Sequence, residues 1–134
     1  MAKRNLKAPL ALALGVSLWA AASAQAASSV EGTWTGTAYQ NEGASGYTVI
    51  ITITSTEAAT RYPELNCNGK LTRVGASGDY VFFAETIVRD EPGGGGHCID
   101  GTITVAPAAD KLAWGWFGSF EGKAYTAWGL LSPR

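Results

Sequence analysis

One histidine, one methionine and two cysteines are all that this chain of 134 residues holds of those types. The scarcity tells against transition-metal chemistry, which draws on several His and Cys ligands. The one local grouping, His97, Cys98 and Asp100, puts two ligands on adjacent residues, an awkward spacing for a single ion. No metal and no cofactor are therefore expected. Serine never stands in a Gly-x-Ser-x-Gly elbow, so His97 oriented by Asp90 or Asp100 would have no activated nucleophile to serve. His97 is read as an exposed loop residue, and the chain is expected not to be an enzyme.

Positive charge is short as well. Three of the ten Lys and Arg residues are Lys3, Arg4 and Lys7, and the first acid is Glu31. Beyond residue 26, seven basic residues face eleven acidic ones, a net charge of −4 with no basic cluster. Nucleic-acid binding rests on clustered Lys and Arg, so that class of partner is excluded. The apolar run at residues 8–22 falls short of the roughly 20 residues of a spanning helix. Nowhere does a 3.6-residue apolar period mark an amphipathic helix.

The first 26 residues read as a cleaved secretory signal. Lys3, Arg4 and Lys7 form the basic segment, the apolar run follows, and Ala24-Gln25-Ala26 supplies the small-x-small cleavage pattern. Residues 27–134 then make one domain of 108 residues, exported to the periplasm or the medium, with no membrane insertion after cleavage. In an oxidising compartment Cys67 and Cys98 are expected to form a disulfide. Closing so long a loop stabilises a domain by about 3–4 kcal/mol.

After a polar tail at 27–31, expected to be mobile, the chain runs through short β-patterned segments: 32–40, 47–54, 58–62, 69–74, 80–89, 101–106, 111–117 and 123–131. Alternation puts Tyr47, Val49, Ile51 and Ile53 on one face of the second segment, and Val81, Phe83, Glu85 and Ile87 on one face of the fifth. Gly-rich turns separate them, the loosest at 91–96 with Pro92 and four consecutive glycines. Eight such segments predict an all-β fold, an eight-stranded antiparallel up-and-down barrel, with a two-sheet sandwich as the alternative. Closure removes the two exposed edges of an open sheet. Gly36, Gly115 and Gly129, inside strands, are expected to mark bends of the wall. An outer-membrane barrel needs strands of about 9–11 residues, longer than several of these.

Chemistry concentrates at few positions. Glu85 interrupts an apolar strand face, so its carboxylate is expected to point inward and to find a basic partner, with Arg61, Lys70 and Arg73 as candidates. It can serve as a structural pair or a ligand-binding acid. Trp114 and Trp116 lie at i, i+2 on one strand, with Trp128 on the next. Such a row can line a ligand pocket or fill a core. The loop carrying Asp90, Glu91 and His97 is a candidate contact surface, pinned at one end by Cys98.

Gly32-Thr33-Trp34-Thr35-Gly36 resembles the opening of calycin-type barrels, the lipocalins and avidins, in which the Trp closes one end. Tyr62-Pro63-x-Leu65-x-Cys67-x-Gly69, Glu85, Cys98-x-Asp100-Gly101 and Trp114-x-Trp116 together resemble a group of small secreted bacterial β-barrel proteins of unassigned function. The format of an exported barrel with one disulfide is similar to that of bacterial protein inhibitors, among them a periplasmic inhibitor of secreted metalloproteases. The C-type lysozyme inhibitors carry a Ser-Gly-x-x-Tyr loop. Ser77-Gly78-Asp79-Tyr80 is one residue shorter, so no inhibitory residue carries over.

The expected function is a non-enzymatic secreted or periplasmic binding module, whose partner is either a protein that it inhibits or a small ligand. The alternative is a structural or surface-interaction protein of the cell envelope. A cavity open at one barrel end favours ligand binding, a filled barrel with a protruding loop favours inhibition, and a featureless filled barrel favours a structural role.

Overall fold

Alternation of β-branched and aromatic residues with polar ones carries the chain through eight strands in the computed structural model, which describes residues 29–43, 45–90 and 94–134. The expected leader, the cleavage site and Glu91 lie outside the described residues. The strands are β1 (Gly32–Gln40), β2 (Tyr47–Ile53), β3 (Ala58–Tyr62), β4 (Cys67–Ser77), β5 (Tyr80–Ile87), β6 (Gly101–Ala108), β7 (Lys111–Phe120) and β8 (Lys123–Pro133). One 3-10 turn, Pro63–Leu65, follows β3 where Pro63 withdraws a ladder donor. Each strand pairs antiparallel with the next, and β8 returns to β1, giving a closed barrel.

Closure is the expected architecture, and its seam explains two of the three glycines assigned to bends. Trp34 pairs with Pro133 and Tyr39 with Trp128 across the β1–β8 ladder. Between those pairs a Cβ on Gly129 would come within 2.6 Å of the Thr37 carbonyl oxygen, and one on Gly36 within 2.8 Å of that of Leu130. These glycines let the first and last strands approach. Gly115 faces outward beside open space, with nothing nearer to a Cβ than the Ala127 carbonyl oxygen at 4.0 Å.

The inward set follows strand parity. Val49, Ile51, Ile103, Val105, Leu112 and Leu131 are fully buried, with Phe83, Ile87 and Trp114 beside them. Two expectations change. The fourth strand runs on to Ser77 rather than stopping at residue 74, because a bulge between Arg73 and Gly75 resets its alternation and leaves Val74 outside. The sequence pattern breaks at that bulge, which reads as a strand end. Val30, placed in a mobile tail, is buried, and its carbonyl accepts the Trp34 indole N–H at 3.0 Å. That contact folds the start of the chain over the end of the barrel opposite the site described below.

Two-residue turns close three hairpins, at Gly78-Asp79, Ala109-Asp110 and Glu121-Gly122. In the last, both residues take positive φ (49° and 76°), the twist that two-residue hairpins prefer.

Gly129→Ala is expected to cost about 1–3 kcal/mol as overpacking at the seam, and Gly115→Ala less than about 0.5 kcal/mol. Urea unfolding of the two variants beside the parent measures the contrast. Equal small losses would show that the seam tolerates the extra methyl.

Candidate functional site

On β5 the pleat turns Val81, Phe83, Glu85 and Ile87 inward, and Glu85 is the only charged residue among the buried ones described, at 2% exposure. A carboxylate in that position must find donors. Oε1 accepts a hydrogen bond from the Tyr62 hydroxyl at 2.7 Å and another from Thr60 Oγ1, and Oε2 accepts the Trp116 indole N–H at 2.7 Å. The donors come from β3 and β7, two strands away on either side.

The expected basic partner is thus replaced by three neutral ones. Arg61 lies between Thr60 and Tyr62 in β3, and Lys70 between Gly69 and Leu71 in β4, so strand parity sends both cations to the outer surface. Arg73 is exposed as well. Two of the three donors do come from β3, one of the strands expected to supply the partner, but from the face opposite Arg61, and the third comes from β7.

Three glycines make room for this arrangement. A Cβ on Gly69 would collide with Thr60 Oγ1 and Glu85 Oε1. One on Gly101 would lie 2.6 Å from the Trp116 ring, and one on Gly118 would also strike that ring. Gly69 and Gly101 stand in the pattern quoted above without a role in the site, and the pairing of Gly101 with Glu85 is a matter of register; only Gly118, two residues after Trp116 on the same face, carried a signal in residue order.

Burial pushes the Glu85 carboxyl above the usual glutamate range; the Thr60, Tyr62 and Trp116 hydrogen bonds oppose the rise and Asp100 adds to it. Burial, and then the nearby Glu85 charge, push the Tyr62 phenol well above its ordinary value and that of Tyr47 to about 12.

Above the carboxyl, the barrel end opens as a cavity of about 470 Å³. Its walls include Tyr47, Tyr62, Trp116 and Tyr125, with Ile87, Leu65 and Ile99 between them, and Gln40, Glu64, His97 and Phe120 stand toward the rim. Tyr47 and Tyr62 meet edge to face with centroids 6.0 Å apart, and the Tyr47 hydroxyl donates to Gln40 Oε1 at 3.1 Å. Glu64 accepts from the Thr48 hydroxyl at 2.6 Å and the Thr48 backbone N–H at 3.1 Å, and these bonds hold its carboxyl below the usual range.

The Cys67–Cys98 disulfide forms beside this opening, with Cα atoms 6.4 Å apart, and Cys98 lines the cavity. It fastens the end of the 3-10 turn to the glycine loop. Packing accounts for that loop better than the mobility expected of it. Gly94, Gly95 and Gly96 all take positive φ (59°, 78° and 53°), Gly95 is buried, and a Cβ there would lie 2.7 Å from Ile87 Cγ2. Asp100 receives the Ile87 backbone N–H at 2.8 Å, which ties the far end of the loop to β5.

Of the candidate residues, the fold therefore brings Glu85, Trp116, His97 and Cys98 to one cavity. Asp90 is exposed in the loop. Trp114 belongs to the barrel core, where its indole N–H has no hydrogen-bond partner among the described residues. Trp128 departs from the expected row: Trp116 pairs with Ala127, which takes the inward position and turns Trp128 to the outer wall at 51% exposure.

No protein-family model, no curated protein and no solved structure matches this chain.

The raised Glu85 pKa fixes the sign of a pH effect. An acid whose pKa rises on folding holds its proton longer folded than unfolded, so stability falls as pH rises from the ordinary glutamate value through the folded one. Trp116→Phe keeps the ring and deletes the N–H. It is expected to cost about 0.5–1.5 kcal/mol near pH 3, where the carboxyl is protonated in both states, and more, up to about 1.5–3 kcal/mol, at pH 8, as ionisation of the carboxyl strengthens the bond. Urea unfolding at the two pH values measures both losses; equal losses would mean that Glu85 holds its proton throughout.

Proposed function

We propose that this chain is an exported, non-enzymatic binding module that holds a small ligand in the open end of its barrel. The observation that carries the reading is a buried carboxyl on the floor of an aromatic-walled cavity of about 470 Å³, a size and composition typical of small-molecule sites. Export is supported by the basic and apolar leader with its Ala24-Gln25-Ala26 pattern and by an intramolecular disulfide. Among the described residues no helix is long and apolar enough to cross a membrane. The likeness of the Tyr62–Gly69, Glu85, Cys98–Gly101 and Trp114–Trp116 pattern to small secreted bacterial proteins agrees with the same address.

Between the two binding roles, the cavity speaks for the ligand: Gly95 packs against Ile87, and His97 and Cys98 stand among the residues that line the opening. A second reading, a surface-interaction protein, has one observation in its favour. Tyr39 and Trp128 are cross-strand partners, and with Leu130 and Phe117 they expose an apolar stripe on the outer wall of β1, β8 and β7.

A thermal-shift screen of mixed small-molecule fragments against residues 27–134 tests the proposal. Several fragments are expected to raise the melting temperature, and Ile99→Trp, which fills the cavity from its wall, is expected to abolish those shifts while far-UV circular dichroism stays unchanged. Shifts that survive Ile99→Trp and vanish in Trp128→Ser would move the function to the outer stripe. No shift in the parent protein would overturn the cavity reading.

A further inference from the structure

None of the cations expected to pair with Glu85 reaches it: Arg61 and Lys70 lie on the outer surface and Arg73 is exposed beside the opposite end of the barrel, which leaves the carboxyl unevenly bonded. A carboxylate offers about four acceptor positions. Oε1 takes two donors, from Thr60 and Tyr62, whereas among the described residues Oε2 takes only the Trp116 N–H. The donors are all neutral, so ionised Glu85 carries an uncompensated negative charge toward the cavity. Thr60 and Tyr62 can turn their hydroxyls and accept a hydrogen bond from a protonated Oε1, while the indole is a donor only. In the protonated form the proton therefore belongs on Oε1, and Oε2 keeps its free acceptor position in either state.

The walls favour the same sign of ligand. Tyr47, Tyr62, Trp116 and Tyr125 line the cavity, and aromatic faces attract cations. The Tyr125 ring already has the Lys123 ammonium 5.8 Å from its centroid. Near the mouth, Glu64 is held ionised by Thr48, and Lys123 is engaged by Glu42. An anion entering would meet Glu64 and then Glu85, and among the described residues that line the cavity none is Lys or Arg.

We propose, resting on the cavity reading above, that the ligand is a small organic cation: an amine whose ammonium pairs with Glu85 Oε2 and whose apolar body lies among the aromatic walls. The ammonium supplies the counter-charge that the barrel withholds, and the ring faces repay part of its lost hydration.

Three probes of matched size and different charge test this: 2-phenylethylamine, 2-phenylethanol and 3-phenylpropionate, titrated at pH 7.5 by isothermal calorimetry against residues 27–134. The amine is expected to bind about tenfold or more tighter than the alcohol, with the carboxylate weakest. Glu85→Gln is expected to bring the amine to within about threefold of the alcohol. Should Glu85→Gln fail to fold, Tyr125→Leu, at a half-buried wall position, is expected to weaken the amine more than the alcohol. Equal affinity for amine and alcohol, a preference for the carboxylate, or an amine preference that survives these substitutions overturns the cation assignment and leaves the cavity reading standing. Binding of none of the three at millimolar concentration, together with a failed fragment screen, overturns both.

Discussion

Return of β8 to β1 is the constraint on which the rest of this structure depends. In an open sheet of eight strands, the face carrying Val49, Ile51, Ile103, Val105 and Leu131 would have no second layer to cover it, and two edges would stay unpaired. Closed, the sheet is its own second layer. The seam works because Gly36 and Gly129 remove Cβ atoms from the places where the first and last strands come closest. The interior that results is narrow enough for side chains to fill most of it, and at the end formed by Tyr47, Tyr62 and Trp116 it opens into the cavity that Glu85 floors.

Into that interior the fold admits one carboxyl. Burying a charge without a counter-ion is costly, and here three hydrogen bonds from neutral donors offset part of the cost while leaving the group hard to ionise. The arrangement recruits more of the barrel than the donors themselves. Gly69 clears space for the carboxyl, and Gly101 and Gly118 clear space for the indole. A site bound to its surroundings in this way is expensive for stability alone, since an apolar residue at position 85 would fill the core without donors or glycine gaps. That expense is the physical reason to look for a role in binding.

The disulfide and the glycine loop form the second half of the same end. Cys67 follows the turn at Pro63–Leu65, and Cys98 ends the loop whose Gly95 packs against Ile87. The bridge joins two segments that carry little apolar surface, where loop-closure entropy matters most. Leu65, Ile87, His97, Cys98 and Ile99 then become wall and rim of the opening. The described end of the loop, from Gly95 to Cys98, is packed against the barrel or lines the opening.

Some of this was legible in residue order alone. Period-two alternation needs no tertiary knowledge, so the eight strands, the inward face of Tyr47–Ile53 and the inward aim of Glu85 follow from the pleat. The pairing of two cysteines needs only their number and compartment. Alternation fails where a bulge resets it, as at Val74, or where a row is extended by eye across strands, as from Trp116 to Trp128. Register between strands was decided by the tertiary structure. Thr60, Tyr62 and Trp116 stand 25, 23 and 31 residues from Glu85, and a shift of one position on β3 or β7 would have offered Arg61 or Phe117 instead. Residue order determined that a carboxyl enters the barrel. Closure and register, which are properties of all eight strands together, decided that it meets three neutral donors, three glycine gaps and an open aromatic cavity in place of a cation.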